Sequence, residues 1–174
     1  MEANKGYKRF CALGLPNGAF GLEAGNDKAV YFCTPVGADI IGWLGVDGIH
    51  FCFIPSVSND IVFAVSPMPC GEHYVEPIAH TFEEFLSLIL FCKDASPLEQ
   101  ICYVMEGHFC ESVKDVGESD CSIQDSVLDI LRSEFEIEAR SDTYQYVKIL
   151  QAAFDYTTIP FSDEYYEVTG TERR

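Results

Sequence analysis

Residues 45–68, GVDGIHFCFIPSVSNDIVFAVSPM, constrain this chain more than any other stretch. In IHFCFIP the set Ile49, Phe51, Phe53 alternates with His50, Cys52, Ile54, and in DIVFAVSP the set Ile61, Phe63, Val65 alternates with Val62 and Ala64. Successive side chains of a strand point to opposite faces, so each strand carries one wholly apolar face and a second that is mostly apolar. A sheet built from such strands has to be covered on both sides. The intervening SVSND is rich in turn formers, which makes the pair a central hairpin.

Other strands are expected around it. HYVEPIAH reads as an edge-type strand, with Pro77 where a missing donor is tolerable. ADIIGWLG is short and contains Gly42, which favours strand over helix. Upstream, RFCALGL and AFGLEAG flank Pro16-Asn17-Gly18, and Asn-Gly between apolar runs predicts a hairpin because both residues tolerate positive φ. KAVYFCT, after a turn at Gly25-Asn26-Asp27, is read as one more strand.

At Thr81 the period changes. Thr81 and Glu84 form a T-x-x-E capping box for a helix to about Phe91, with Phe82, Phe85, Leu86 and Ile89 on its apolar face. Ser96, Pro97 and Glu99 repeat the start signal, with Pro at the first helical position. Beyond the polar break KDVGESD, the residues Ile123, Val127, Ile130 and Leu131 mark another helix, and Tyr146, Val147, Leu150 and Phe154 mark one after Asp142. The tail TTIPFSDEYYEVTGTERR carries aromatics able to dock and an end expected to fray. Strands followed by helices predict an α+β fold: a mostly antiparallel N-terminal sheet of about six strands, packed with C-terminal helices. One domain over residues 1–174 is expected, with a sheet region 1–80, a helical region 81–157 and a tail 158–174; 174 residues bury roughly 70% of their unfolded surface without covalent staples.

MEANKGYKRF lacks the apolar core of a signal peptide, and no window approaches the roughly 18 apolar residues of a membrane span, so a cytoplasmic protein without membrane partners is expected. In that compartment the eight cysteines are thiols rather than disulfides. None of them forms a C-x-x-C pair, which removes the zinc-ribbon and thioredoxin readings; most are expected to be small buried hydrophobes. Eleven basic against 28 acidic residues give a net charge of −17. A nucleic-acid binder must neutralise phosphate with clustered Lys and Arg, so that class is excluded. An acidic surface instead suits a basic protein partner.

No reaction centre stands out, and no cofactor is called for. Cys70 and His73 form a C-x-x-H in PMPCGEHY, but zinc needs two more ligands, and His50, His80 and His108/Cys110 have no regular spacing to it. Cys70 with His80, or Cys52 with a histidine of another strand, could pair a nucleophile with a base. Gly37, Gly42, Gly45 and Gly48 follow no phosphate-loop order, and Ser58 and Ser66 lack a G-x-S-x-G elbow. The acidic skew remains: between Glu111 and Asp142 ten acidic residues face only Lys114, Arg132 and Arg140.

The series IIGWLGVDGIHFCFIP and IVFAVSP, followed by YVEPIAHTFEEFLSLIL, where a closing strand leads into a Phe-x-x-Phe-Leu helix, resembles the SUKH superfamily of bacterial toxin-immunity proteins and a yeast cell-wall synthesis regulator. It is similar also to uncharacterised proteins of gut Firmicutes with a like TPVGADIIG...GVDGIHFCFIP block. The resemblance spans about residues 28–91. It implies a non-enzymatic protein that binds and blocks a toxin domain; it carries over no catalytic residues. The expected contacts, being polar or aromatic and beside the matched sheet, are Trp43, Asp47, Glu72 and Glu76. Two alternatives stand beside this reading: a small enzyme or metal-binding protein using Cys70 and His73, and a homodimeric regulatory or structural protein.

Overall fold

The computed structural model describes residues 4–24, 30–117 and 122–173, the side chains of 115–117 excepted. Its centre is an antiparallel sheet of β1 (Asp39–Trp43), β2 (His50–Ile54), β3 (Ser58–Cys70) and β4 (His73–Ala79), each strand hydrogen-bonded to the next. Phe51 stands opposite Ala64 and Phe53 opposite Val62, the register that puts the two alternating sets on separate faces. Around the sheet lie α1 (Lys5–Ala12), α2 (Phe82–Cys92), α3 (Ser96–Gln100), α4 (Glu106–Gly117), α5 (Ser122–Phe135), α6 (Thr143–Ala153) and α7 (Asp163–Thr169), with 3-10 turns at Asn17–Phe20 and Tyr156–Thr158.

Both faces of the sheet are covered, as the double alternation requires. Phe51, Phe53, Val62 and Ala64 pack against Phe10 of α1 and against Phe82, Phe85 and Ile89 of α2. Phe82 is the hub: its ring meets those of Tyr7, Phe10, Phe53, Phe85 and Phe135 with centroids 5.4–6.5 Å apart. Cys52, Ile54, Phe63, Val65 and Val75 form the other face, buried with Cys33, Ile159 and Tyr165. The tail aromatics therefore dock, and the segment after α6 is part of the core rather than an appendage. Thr81 caps α2 as expected, its hydroxyl accepting from the Glu84 N–H at 3.1 Å.

The sheet has four strands among the described residues, not about six, and the difference lies N-terminal to β1. Most of RFCALGL belongs to α1, which is opened by the Asn4 side chain accepting from the Tyr7 N–H at 3.0 Å. Tyr7 and Phe10, one turn apart, both reach Phe82, so helical spacing wins over apparent alternation. Asn17 and Gly18 open a 3-10 helix, and the positive φ falls at Gly14 and Gly21 instead. AFGLEAG contributes only an isolated bridge, Glu23 to Trp43, with both N–H···O distances 2.8 Å. In KAVYFCT, residues 31–34 form a turn closed by the Thr34 N–H donating to the Tyr31 carbonyl at 2.8 Å; positions 28–29 and the expected turn at Gly25-Asn26-Asp27 lie outside the described residues.

Helix details also differ. α4 has no counterpart in the sequence reading. In α3 the N-cap is Ala95, and Asp94 supplies the acceptor for the Ser96 N–H at 2.7 Å. In α5 Ile123 and Ile130 are exposed, and the inward stripe is Gln124, Val127, Leu128, Leu131 and Phe135. The rotation puts Gln124 where its amide donates to the Lys93 carbonyl at 2.9 Å. That carbonyl belongs to the left-handed residue (φ 61°) ending α2, where helix acceptors lose their own partners.

Candidate functional site

The last residue of β3 paired with β2 is Val65, opposite His50, yet β3 continues to Cys70, which pairs with His73 of β4. The β3–β4 hairpin thus projects five residues beyond β2, roughly 16 Å at 3.3 Å per residue. Gly71, at φ 61°, makes its tight turn with Glu72. Against this projection lies the segment after α6. Asp155 and Ser162 start its two helical turns by accepting from the N–H groups of Thr157 and Tyr165, and Gly170 ends the second in the left-handed conformation.

Between hairpin and segment is a cavity of about 640 Å³ lined by His73, Tyr74, Tyr156, Phe161, Tyr165 and Tyr166, with the acidic residues Glu72 and Glu172 also on its wall. The rings brace one another. His73 stacks on Tyr156 at 3.7 Å and 6°, Phe161 stacks on Tyr165 at 3.8 Å and 9°, and Tyr74 meets Tyr165 edge-on at 5.6 Å. Among the described residues no lysine or arginine lines it. Arg173 stands nearby, its guanidinium 5.5 Å from the Tyr166 ring centre and paired with Asp163.

Tyr156 connects this cavity to a buried polar cluster. Its hydroxyl donates to Glu76 at 2.6 Å, and Glu76 is only 8% exposed. Burial pushes the Glu76 carboxyl up to about 7, against the lowering effects of the Tyr156 hydrogen bond and the Lys148 charge. Burial likewise raises Glu99 of α3, although Ser66, Tyr103 and Gln100 bond to it. Burial also raises Cys102, and the neighbouring Cys70 thiol and the charges of Glu76 and Glu99 add to the effect. A thiol so held stays protonated near neutral pH, the opposite of what a catalytic nucleophile needs.

The four residues expected as contacts are dispersed. Asp47 is exposed in the β1–β2 turn with φ 48°. In this antiparallel order that turn lies at the same end of the sheet as Glu72, which is exposed and lines the cavity. Trp43 is half-buried between Tyr31 and His50, and its indole N–H is buried without an acceptor. Glu76 is inside the protein rather than at a strand end.

The histidines and cysteines do not assemble as the sequence pairs would have it. Cys70 and His80 sit at opposite ends of the β3–β4 pair, and the His80 N–H donates to the Tyr146 hydroxyl at 2.9 Å. His50 is fully buried, with Nδ1 2.8 Å from the Gly48 carbonyl and Nε2 3.3 Å from the Thr34 hydroxyl. Burial lowers its pKa. The neutral tautomer satisfies both contacts, Nδ1–H donating to the carbonyl and Nε2 accepting from Thr34. Cys70 and His73 are cross-strand neighbours, but among the described residues no three His, Cys, Asp or Glu side chains converge as a metal requires.

Sequence reasoning missed Tyr156, Tyr165 and Tyr166. The available signal was the aromatic density of IPFSDEYYEV together with Ser162 three residues before Tyr165, an N-cap spacing. Basic residues elsewhere are largely matched by acids: Arg132 pairs with Asp129, Arg140 with Asp142 and Glu84, Arg9 with Glu134 and Lys93 with Asp125. Among the described residues, no helix is long and apolar enough to cross a membrane. No family model, no curated protein and no solved structure matches this chain.

Proposed function

We propose that this chain is a non-enzymatic acidic binding protein of SUKH-like type, and that the cavity beside the β3–β4 hairpin receives a cationic side chain of a protein partner. Neutralising a basic toxin domain by direct binding is the specific form of this reading. The observation that carries it is the joining of aromatic side chains to two acidic residues, Glu72 and Glu172, in one cavity that no lysine or arginine lines among the described residues. A cation against aromatic faces gains about 0.5–2 kcal/mol, more as water is excluded. A carboxylate able to form a charge-assisted hydrogen bond adds to that gain. The position of Arg173 over Tyr166 is an internal instance of the same contact. The charge of −17 draws a basic partner in before contact is made.

The test is titration of the protein, observed by NMR, with an arginine hexapeptide and with its citrulline counterpart, which keeps the shape and removes the charge. The expected result is binding of the arginine peptide alone, with shifts at Tyr74, Tyr156 and Tyr166, weakened several-fold by Glu72→Gln. Equal binding of the two peptides, or shifts confined to another face, overturns the reading. For the specific form, co-expression with a toxin encoded by a neighbouring gene should restore growth.

A further inference from the structure

Cys70 ends β3, and Cys102 lies in the turn after α3, with its thiol 3.5 Å from the Glu99 carbonyl. The next residue fastens that turn to the hairpin: the Tyr103 hydroxyl donates to the Met68 carbonyl at 2.5 Å and lies 3.3 Å from the Ser66 hydroxyl. From the other side the Lys148 ammonium reaches the Cys102 carbonyl at 3.5 Å. Held this way, the turn after α3 sets Cys102 beside Cys70, with Tyr103 bonded two residues before Cys70 in the chain. Both are half-buried. Cys33, Cys52 and Cys92 are fully enclosed, and Cys11 and Cys110 are exposed.

We propose that Cys70 and Cys102 are an oxidisable dithiol, which a peroxide closes into an intramolecular disulfide linking the β3–β4 hairpin to the turn after α3. In the first step the Cys70 sulfur attacks the O–O bond, giving a sulfenic acid and one molecule of alcohol, or of water where the oxidant is hydrogen peroxide. In the second the Cys102 sulfur attacks the sulfenyl sulfur, the S–S bond forms, and the hydroxyl leaves as water with the thiol proton. Two thiols have then lost two electrons, and the peroxide has gained them. The first step falls to Cys70, since Glu76 and Glu99 disfavour a thiolate at Cys102; in the second, Cys102 gives up its proton to the departing sulfenyl hydroxyl as it attacks. The reading is independent of cation binding, since the thiols report on it without any ligand.

The experiment treats the reduced full chain with hydrogen peroxide, blocks remaining thiols with N-ethylmaleimide, and maps the digest by mass spectrometry. The expected product is monomeric, carries a 70–102 cross-linked peptide, and melts roughly 5–10 °C higher until dithiothreitol reverses it. Phenylarsine oxide, which bridges adjacent thiols, should bind at one arsenic per wild-type chain and not to Cys70→Ser or Cys102→Ser. Maleimide at both positions after oxidation, or disulfides formed only between chains through Cys11 or Cys110, overturns the proposal. The wild-type map decides this even if a serine variant fails to fold.

Discussion

The Tyr156 hydroxyl donates to the Glu76 carboxylate at 2.6 Å, joining two residues eighty positions apart and anchoring the segment after α6 to the edge strand of the sheet. Because burial outweighs this bond, the carboxyl titrates near 7 when folded, against 4.5 for its ordinary value. The folded state therefore holds a proton that the unfolded chain has lost between these values, and stability falls as pH rises from 4.5 to about 7 and then levels. The span corresponds to about 3 kcal/mol. Glu76→Gln, which keeps an acceptor for Tyr156, should remove that slope and be the more stable protein at pH 8. Urea denaturation of both proteins from pH 4.5 to 8 measures the difference.

His50 works in the opposite direction. Its folded pKa lies below 6.5 because the ring is desolvated, so its contribution is complete above 6.5 and is lost as pH falls through the folded value. His50→Gln should lose less stability on acidification than the wild type, although its stability at neutral pH is lower for want of the tilted ring contact with Trp43. The same denaturation series separates the two groups, since each variant removes one slope.

The end of α2 offers a stability test free of titration. Lys93 adopts φ 61°, a conformation that costs a residue with a Cβ about 1 kcal/mol, and its ion pair with Asp125 is exposed. Lys93→Gly should raise stability by about 0.5–1 kcal/mol. Gln124→Ala, which leaves the Lys93 carbonyl without its donor, should lower it by about 1–2 kcal/mol. Chemical denaturation midpoints at constant m-value check both.

If association with a basic partner is steered by charge, its rate constant should fall steeply between low salt and 0.15 M, where the Debye length is about 8 Å. Glu72→Gln should change dissociation more than association, because a contact inside a cavity acts after encounter. Stopped-flow or surface-based kinetics with the arginine hexapeptide fused to a carrier protein reads both.

The part of the fold legible in the sequence is the part governed by local period. The alternation of residues 49–54 and 61–65 needs only the pleat to be read, and it yielded two central strands and a sheet covered twice. Thr81 and Glu84 marked the start of α2 in the same way. Misreading began where a local signal had two uses. Asn17-Gly18 suits a hairpin, but without positive φ it also opens a 3-10 turn, and only the distant Phe82 makes helical placement of Tyr7 and Phe10 the better packing. In α5 the isoleucines drew the stripe toward Ile123 and Ile130, whereas the buried need of the Lys93 carbonyl turns Gln124 inward. The cavity was less legible than the fold. Glu72 came from its loop position, but most of the wall facing it comes from residues 156–172, whose meeting with the hairpin is a tertiary event with no local trace.

The segment carrying Ile159 and Tyr165 closes one face of a sheet whose last strand ended about 75 residues earlier. At a translation rate of about 5–20 residues per second, a growing chain has made all four strands roughly 4–15 s before that cover is synthesised. Over this interval Cys52, Ile54, Phe63 and Val65 present a sticky surface on the ribosome. Packing of that face is therefore completed late, only once residues 159–165 have been made and can fold back over strands formed long before.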